Sequence, residues 1–206
     1  MTANRTSDTR LGVSVRRLRE SWVVVALLAA CLLLAAGGDE LRELGRYDRH
    51  ALESGEYWRL VSGHLVHLGF GHLWPNLAAL VIIALLFDDV FGNADWLRIG
   101  FAAAAAIDLG LYVLDPNVIW YVGLSGVLHG YVAAGALALL LRRQMLGAVL
   151  AIGLGGKLLF EQIVGPVPFT AESLGGPVLV AAHLYGSVGA LLAETAAQLA
   201  RRRSRV

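Results

Sequence analysis

Apolar runs close to twenty residues long recur along almost the whole chain, near 21–38, 70–87, 94–114, 121–141, 144–164 and 177–199. A run of about 20 apolar residues in helical form crosses a hydrocarbon core of about 30 Å, and in lipid only a helix satisfies its own backbone polar groups. Six runs predict an all-α membrane protein, a bundle of six transmembrane helices. Composition agrees. Of 206 residues, 57% are hydrophobic and 16% charged, whereas a soluble domain is usually about a quarter charged. The expected organisation is a short cytoplasmic segment over 1–20, one membrane domain over 21–199 and a basic cytoplasmic tail over 200–206. The net charge of +1 argues against nucleic acid as a partner and leaves the lipid bilayer as the first one. The single cysteine, Cys31, excludes an intrachain disulfide. The first run follows "RRLRE" in the manner of a signal peptide, but it ends in "LLAAGGDELREL" and five runs follow, so it reads as a retained signal anchor.

Arginine placement sets the orientation. Arg5, Arg10, Arg16, Arg17 and Arg19 precede the first run, Arg142 and Arg143 separate the fourth from the fifth, and "RRRSR" closes the chain. The positive-inside rule puts both termini in the cytoplasm and residues 39–69, 115–120 and 165–176 on the far side. The turn near 88–98 fits least well, with Asp88, Asp89 and Asp95 against Arg98 alone.

Against this apolar background a few polar residues stand out. In "YVGLSGVLHG", Ser125 lies about three residues into the fourth run, between Gly123 and Gly126; in "VAAHLYGSVGA", His183 lies about six into the sixth. At a rise of about 1.5 Å per residue the two sit at similar depths. A serine becomes a nucleophile when a neighbouring imidazole takes its proton, and flanking glycines leave room for a substrate backbone to approach. Each residue alone also fits a plainer role, Ser125 as a small packing residue and His183 as a satisfied polar group facing the bundle. In "GHLWPN", His72 and Asn76 stand four apart and share a helical face, and Pro75 is placed in the first turn, where no amide is missed. Two donors, a serine and a histidine near one mouth make a hydrolase constellation.

Taken in order, "EYWRLVSGHLVHLGFGHLWPN", "GLSGVLHG" and "AHLYG" resemble the rhomboid intramembrane serine proteases over about residues 53–199. Glu56, Trp58, Arg59, His72, Asn76, Gly123, Ser125, Gly126, His183 and Gly186 match the family pattern. The resemblance implies that Ser125 attacks the scissile carbonyl with His183 as its base. It assigns the oxyanion to His72, Asn76 and the amide of Ser125, grouped with Gly123, and gives Gly126, His129 and Gly186 supporting positions. It implies a Ser-His dyad with no third acid. His129 stands where many members carry a tyrosine that packs on the catalytic imidazole, and stacking is its expected role. Ala190 stands where a glycine is frequent. Within the family, "GLSGVLHG" and the short bare core look most like the rhombosortase branch. That branch is bacterial, with an active site facing the periplasm and substrates anchored by a C-terminal Gly-Gly motif, a transmembrane helix and a basic tail.

The remaining ionisable residues add less. His64 and His67 lack the acidic ligand or H-E-x-x-H spacing of a metal site, so neither metal nor cofactor is expected. Lys157 and Glu161, four apart, read as a self-neutralising pair. Asp108 reads as a structural hydrogen-bonding group, with orientation of His183 as the alternative. The loop "GPVPFTAESLGGP", through Phe169, is a candidate cap over the site. An inactive rhomboid-like helix-binding protein would lack the serine or the histidine, and a small transporter would show internal repeats, which this chain does not.

Overall fold

The computed structural model describes residues 21–166 and 178–204, and these are mostly helical. The expectations for Arg5, Arg10, Arg16, Arg17, Arg19 and the Phe169 loop lie outside the described residues. In chain order the helices are α1 (Trp22–Ala36), α2 (Gly38–Gly45), α3 (Arg49–Glu53), α4 (Arg59–Ser62), α5 (Phe70–Leu86), α6 (Asn93–Val113), α7 (Ser125–Leu141), α8 (Met145–Val164) and α9 (Val180–Arg203). One antiparallel pair joins β1 (Tyr47–Asp48) to β2 (Trp120–Tyr121), with Tyr47 opposite Tyr121.

By length and composition α6 and α8 can each cross a membrane, and α1 with α2, bent by 119°, would make a third such span. The other apolar runs form shorter or more polar helices. α5 and α7 have 17 residues each, and α9 carries Glu194 and three terminal arginines. One start and the placement of one proline differ from the sequence expectation. The fourth long helix begins at Ser125 itself, because Trp120 and Tyr121 pair as a strand and Gly123 takes φ +116°, a left-handed conformation that ends regular structure. α5 begins at Phe70, so Pro75 lies inside the helix and not in its first turn. It removes the amide that would bond the carbonyl of Gly71.

α7 is the centre of the bundle, buried on successive faces from Gly126 through Leu139. That explains its lack of an amphipathic pattern, since a helix covered on all sides needs no polar stripe. Small residues set its crossing with α9. A Cβ on Gly126 would stand 2.8 Å from the carbonyl oxygen of Ala182, and one on Gly130 would stand 2.8 Å from that of Gly186. A Cβ on Gly186 would strike the carbonyl oxygen of Gly126. Backbones in direct contact are a common means of helix association in lipid. Gly186→Val is therefore expected to cost about 1–3 kcal/mol or more through overpacking, read as a lowered unfolding temperature in detergent. Gly153→Ala on α8, where a Cβ meets nothing within 4 Å, should be neutral or stabilising by up to about 1 kcal/mol; equal losses in both variants would contradict this packing.

The two ends of the bundle differ chemically. At one end Arg98 pairs with Asp95 at 3.1 Å and with buried Glu194 at 2.6 Å, Arg201 reaches Asp95 at 2.8 Å and Arg142 approaches Asp89 at 4.0 Å. The acids near 88–98 that fitted the orientation rule poorly thus sit among arginines of the α7–α8 turn and the end of α9. The opposite end is closed by α2–α4 and the strand pair. There Arg59 bonds Glu56 at 2.7 Å and the carbonyls of Glu43 and Arg46. Arg49 donates to the carbonyls of Leu111, Tyr112, Asp115 and Val118, pinning the end of α6. Ser125 belongs to this second end, a full α7 length, or about 25 Å, from Arg142.

Candidate active site

The turn into α7 is held before the helix begins. The Tyr121 hydroxyl donates to the carbonyl of Gly123 at 2.6 Å, and the Gly123 amide donates to the carbonyl of Gly63 at 3.0 Å. Gly123, grouped with the oxyanion residues in the sequence reading, thus has its own amide engaged. What it supplies is space, since a Cβ there would come within 2.7 Å of the His72 ring. Ser125 follows as the first residue of α7. Its amide has no intrahelical acceptor and lies at the positive end of the helix dipole. Tyr121 escaped the sequence reading, as a tyrosine two residues before a glycine carries no signal of this role.

α9 brings His183 against this helix start. Its Nε2 lies 3.0 Å from the Ser125 hydroxyl oxygen. The imidazole of His129, one turn along α7, stacks on the His183 ring with centroids 4.0 Å apart and planes 13° from parallel. His129 is tied down in turn, its Nδ1 donating to the carbonyl of Ser125 at 2.7 Å. The far nitrogen of His183, Nδ1, faces a carboxylate oxygen of Glu161 on α8 at 2.9 Å, while the other Glu161 oxygen meets Lys157 at 2.5 Å. The Lys157–Glu161 pair expected from spacing is present. Its contact with His183 was not anticipated, and the expected absence of a third acid does not describe this geometry. Asp108 approaches Nε2 of His64 at 3.2 Å.

On the facing wall, His72 and Asn76 are both buried. The Leu68 amide points at Nδ1 of His72 at 3.5 Å, which favours the proton on Nε2, the nitrogen nearer Gly123. Asn76 spends one side-chain N–H on the carbonyl of His72 at 2.8 Å and keeps a second to donate. His67 packs edge-on to His72 with centroids 5.0 Å apart. Burial and then the His72 imidazole push His67 down to about 4, leaving it neutral.

Ser125, His183, His129, Glu161, His72 and Asn76 line one cleft of about 930 Å³. Its walls are α5, through Asn76, Ala79 and Ile83, and α8, through Val149, Gly153 and Leu154, with Ser125, Leu128 and His129 at its base. Among the described residues the only three-ligand cluster is His129, Glu161 and His183, with ligand atoms within 4.8 Å of one another. A metal there would have to displace the Lys157 and His183 contacts of Glu161. The arrangement can instead deprotonate a hydroxyl and receive a developing oxyanion, the two tasks of acyl transfer at a serine.

Comparison with known proteins bears on the same segment. Residues 54–198 match the family model described as "Rhomboid domain". The protein YdcA of Bacillus subtilis is 26% identical over 139 residues, which is 68% of this chain and 66% of that protein. Rhomboid protease GluP of the same organism is 25% identical over 148 residues, 70% of this chain and 26% of that protein. Rhomboid protease GlpG of Haemophilus influenzae is 29% identical over 119 residues, 53% of this chain and 60% of that protein. The chain thus spans at most 66% of each of these relatives.

Proposed function

The chain belongs to the rhomboid family, and from that premise we propose that it is a serine endopeptidase of the membrane in which Ser125 is the nucleophile and His183 its general base. The observation carrying this reading is the 3.0 Å contact between Nε2 of His183 and the Ser125 hydroxyl at the base of the cleft. As Oγ attacks the scissile carbonyl, its proton passes to Nε2. The negative oxygen then faces the Ser125 amide, His72 and Asn76. Collapse breaks the C–N bond, and Nε2 returns the proton to the departing amine. Water repeats the cycle on the acyl-enzyme. Asn76→Ala should slow cleavage on the order of 10²-fold, because His72 and the backbone amide remain; a rate within twofold of the unsubstituted protein would remove Asn76 from the hole.

Six spans with both termini cytoplasmic is the topology we assign. It is supported by the gathering of Arg142, Arg201 and the 88–98 turn at the end opposite Ser125, and it places the site at the periplasmic face of a bacterial inner membrane. The cleft between α5 and α8 is mostly apolar along both walls and suits an entering substrate helix. Resemblance to the rhombosortase branch supplies the substrate class: proteins anchored by a C-terminal Gly-Gly element, a helix and an arginine tail. The direct test is labelling by a fluorophosphonate probe, which needs no natural substrate. Stoichiometric labelling that is absent from Ser125→Ala supports the proposal, and no labelling in folded protein overturns it.

A further inference from the structure

α8 is a peripheral helix. Ile152, Leu159 and Ile163 are more than 60% exposed on it, and the residues it buries are Gly147 and Glu161. A helix that turns its apolar side chains outward and its carboxylate inward needs a reason for the carboxylate, because a buried charge is costly without partners. Helix stability does not provide one. Lys157 precedes Glu161, and lysine N-terminal to glutamate is the less favourable order for a pair four apart.

The reason lies across the helix boundary. One oxygen of Glu161 accepts from Lys157 and the other stands 2.9 Å from Nδ1 of His183, whose Nε2 faces Ser125 at 3.0 Å. A neutral imidazole has one N–H, and an ionised carboxylate can only accept. With Nδ1–H donating to Glu161, Nε2 must hold the lone pair, which is the tautomer that can take the Ser125 proton. Lys157, about a third exposed at the cleft edge, sets its ammonium against the other Glu161 oxygen. Stacking on His129 prevents the ring from turning out of the line.

Building on the serine-protease reading above, we propose that Glu161 is a positioning residue: it completes a Ser125–His183–Glu161 relay across α7, α9 and α8, with Lys157 as its counter-charge. The proton from Ser125 goes to Nε2 and later to the leaving amine. The Nδ1 proton stays on the imidazole, and Glu161 remains ionised beside the imidazolium.

Two measurements on the full chain in detergent test this. Glu161→Gln keeps the shape but offers an amide to Nδ1. Its kcat on a helix-anchored reporter should fall by on the order of 10² to 10⁴ with KM changed less than about twofold, and Glu161→Asp should regain part of the loss. A Glu161→Gln kcat within twofold of the unsubstituted protein, while Ser125→Ala is inactive, overturns the role of Glu161 and leaves the protease reading intact. Activity retained in Ser125→Ala would instead sink that reading. Should Glu161→Gln fail to fold, the unsubstituted protein with ¹⁵N-labelled histidine decides. A far-downfield Nδ1 proton that disappears in His183→Ala supports the relay, and its absence at low temperature overturns it.

Discussion

Ser125→Ala is expected to abolish cleavage of a membrane-anchored reporter, lowering the rate by on the order of 10⁴- to 10⁶-fold while the protein stays inserted and folded. His183→Ala should do the same. The two losses should not add, because a serine without its base and a base without its serine fail at the same step; the double variant should match either single one. Folding is expected to survive, since Ser125 is only partly buried at a helix start and the helix crossing rests on Gly126, Gly130 and Gly186. Unfolding temperature and fluorophosphonate labelling, measured on the same samples, separate lost chemistry from lost structure. Residual cleavage above about 1% in either variant would rule out the Ser125–His183 mechanism.

The second large effect concerns the substrate. Ser125 sits at the end of α7 and not at its middle, so a substrate helix must present a peptide bond near its own outer end. In a regular helix that carbonyl is already hydrogen-bonded, and the bond becomes available only after local unwinding. Two glycines lower the cost of leaving the helix by about 1 kcal/mol each relative to alanine, equivalent to about 30-fold in rate when unwinding precedes the cut. A fusion bearing Gly-Gly, an apolar helix and an arginine tail is therefore expected to be cut at or beside the glycines. Its soluble part should appear on the periplasmic side. Replacing both glycines by leucine should slow release by about 30-fold or more, read as anchored against released product by mass. Equal release of the leucine version, or a cut near the middle of the helix, would sink this account of substrate choice and leave the serine mechanism standing.

Sequence and structure agree unevenly, and the reasons are physical. A membrane chain announces its apolar runs, because lipid penalises every polar residue, so the helical class was legible from end to end. Span count was less so. α5, α7 and α9 are shorter or more polar than a simple crossing demands, and hydropathy does not show what packing compensates. Ser125 and His183, 58 residues apart, were matched by depth and then by the family resemblance; depth works because helices running the same way turn sequence offset into height. His129 was legible as a stacking residue through the family resemblance, which puts a ring at that position one turn after Ser125. Glu161 was hidden by arithmetic. Lys157 four residues earlier cancels its charge on the same helix, and counting charges assigns one partner to a carboxylate that has two oxygens. Gly123 was grouped with the oxyanion residues, but its amide is engaged with Gly63, a loop contact that no helical periodicity encodes. Arg49 carries no signal in the sequence, yet it holds four carbonyls at the end of α6.

The proposed relay draws one residue from each of three helices in chain order: Ser125 from α7, Glu161 from α8 and His183 from α9. A ribosome adding about 5–20 residues per second delivers the serine some 3–12 s before the histidine that lies 58 positions later. Through that interval the hydroxyl has no imidazole beside it, and the cleft lacks the helix that closes it from behind. On the proposed mechanism, the nascent chain would therefore have no working nucleophile until α9 is in place.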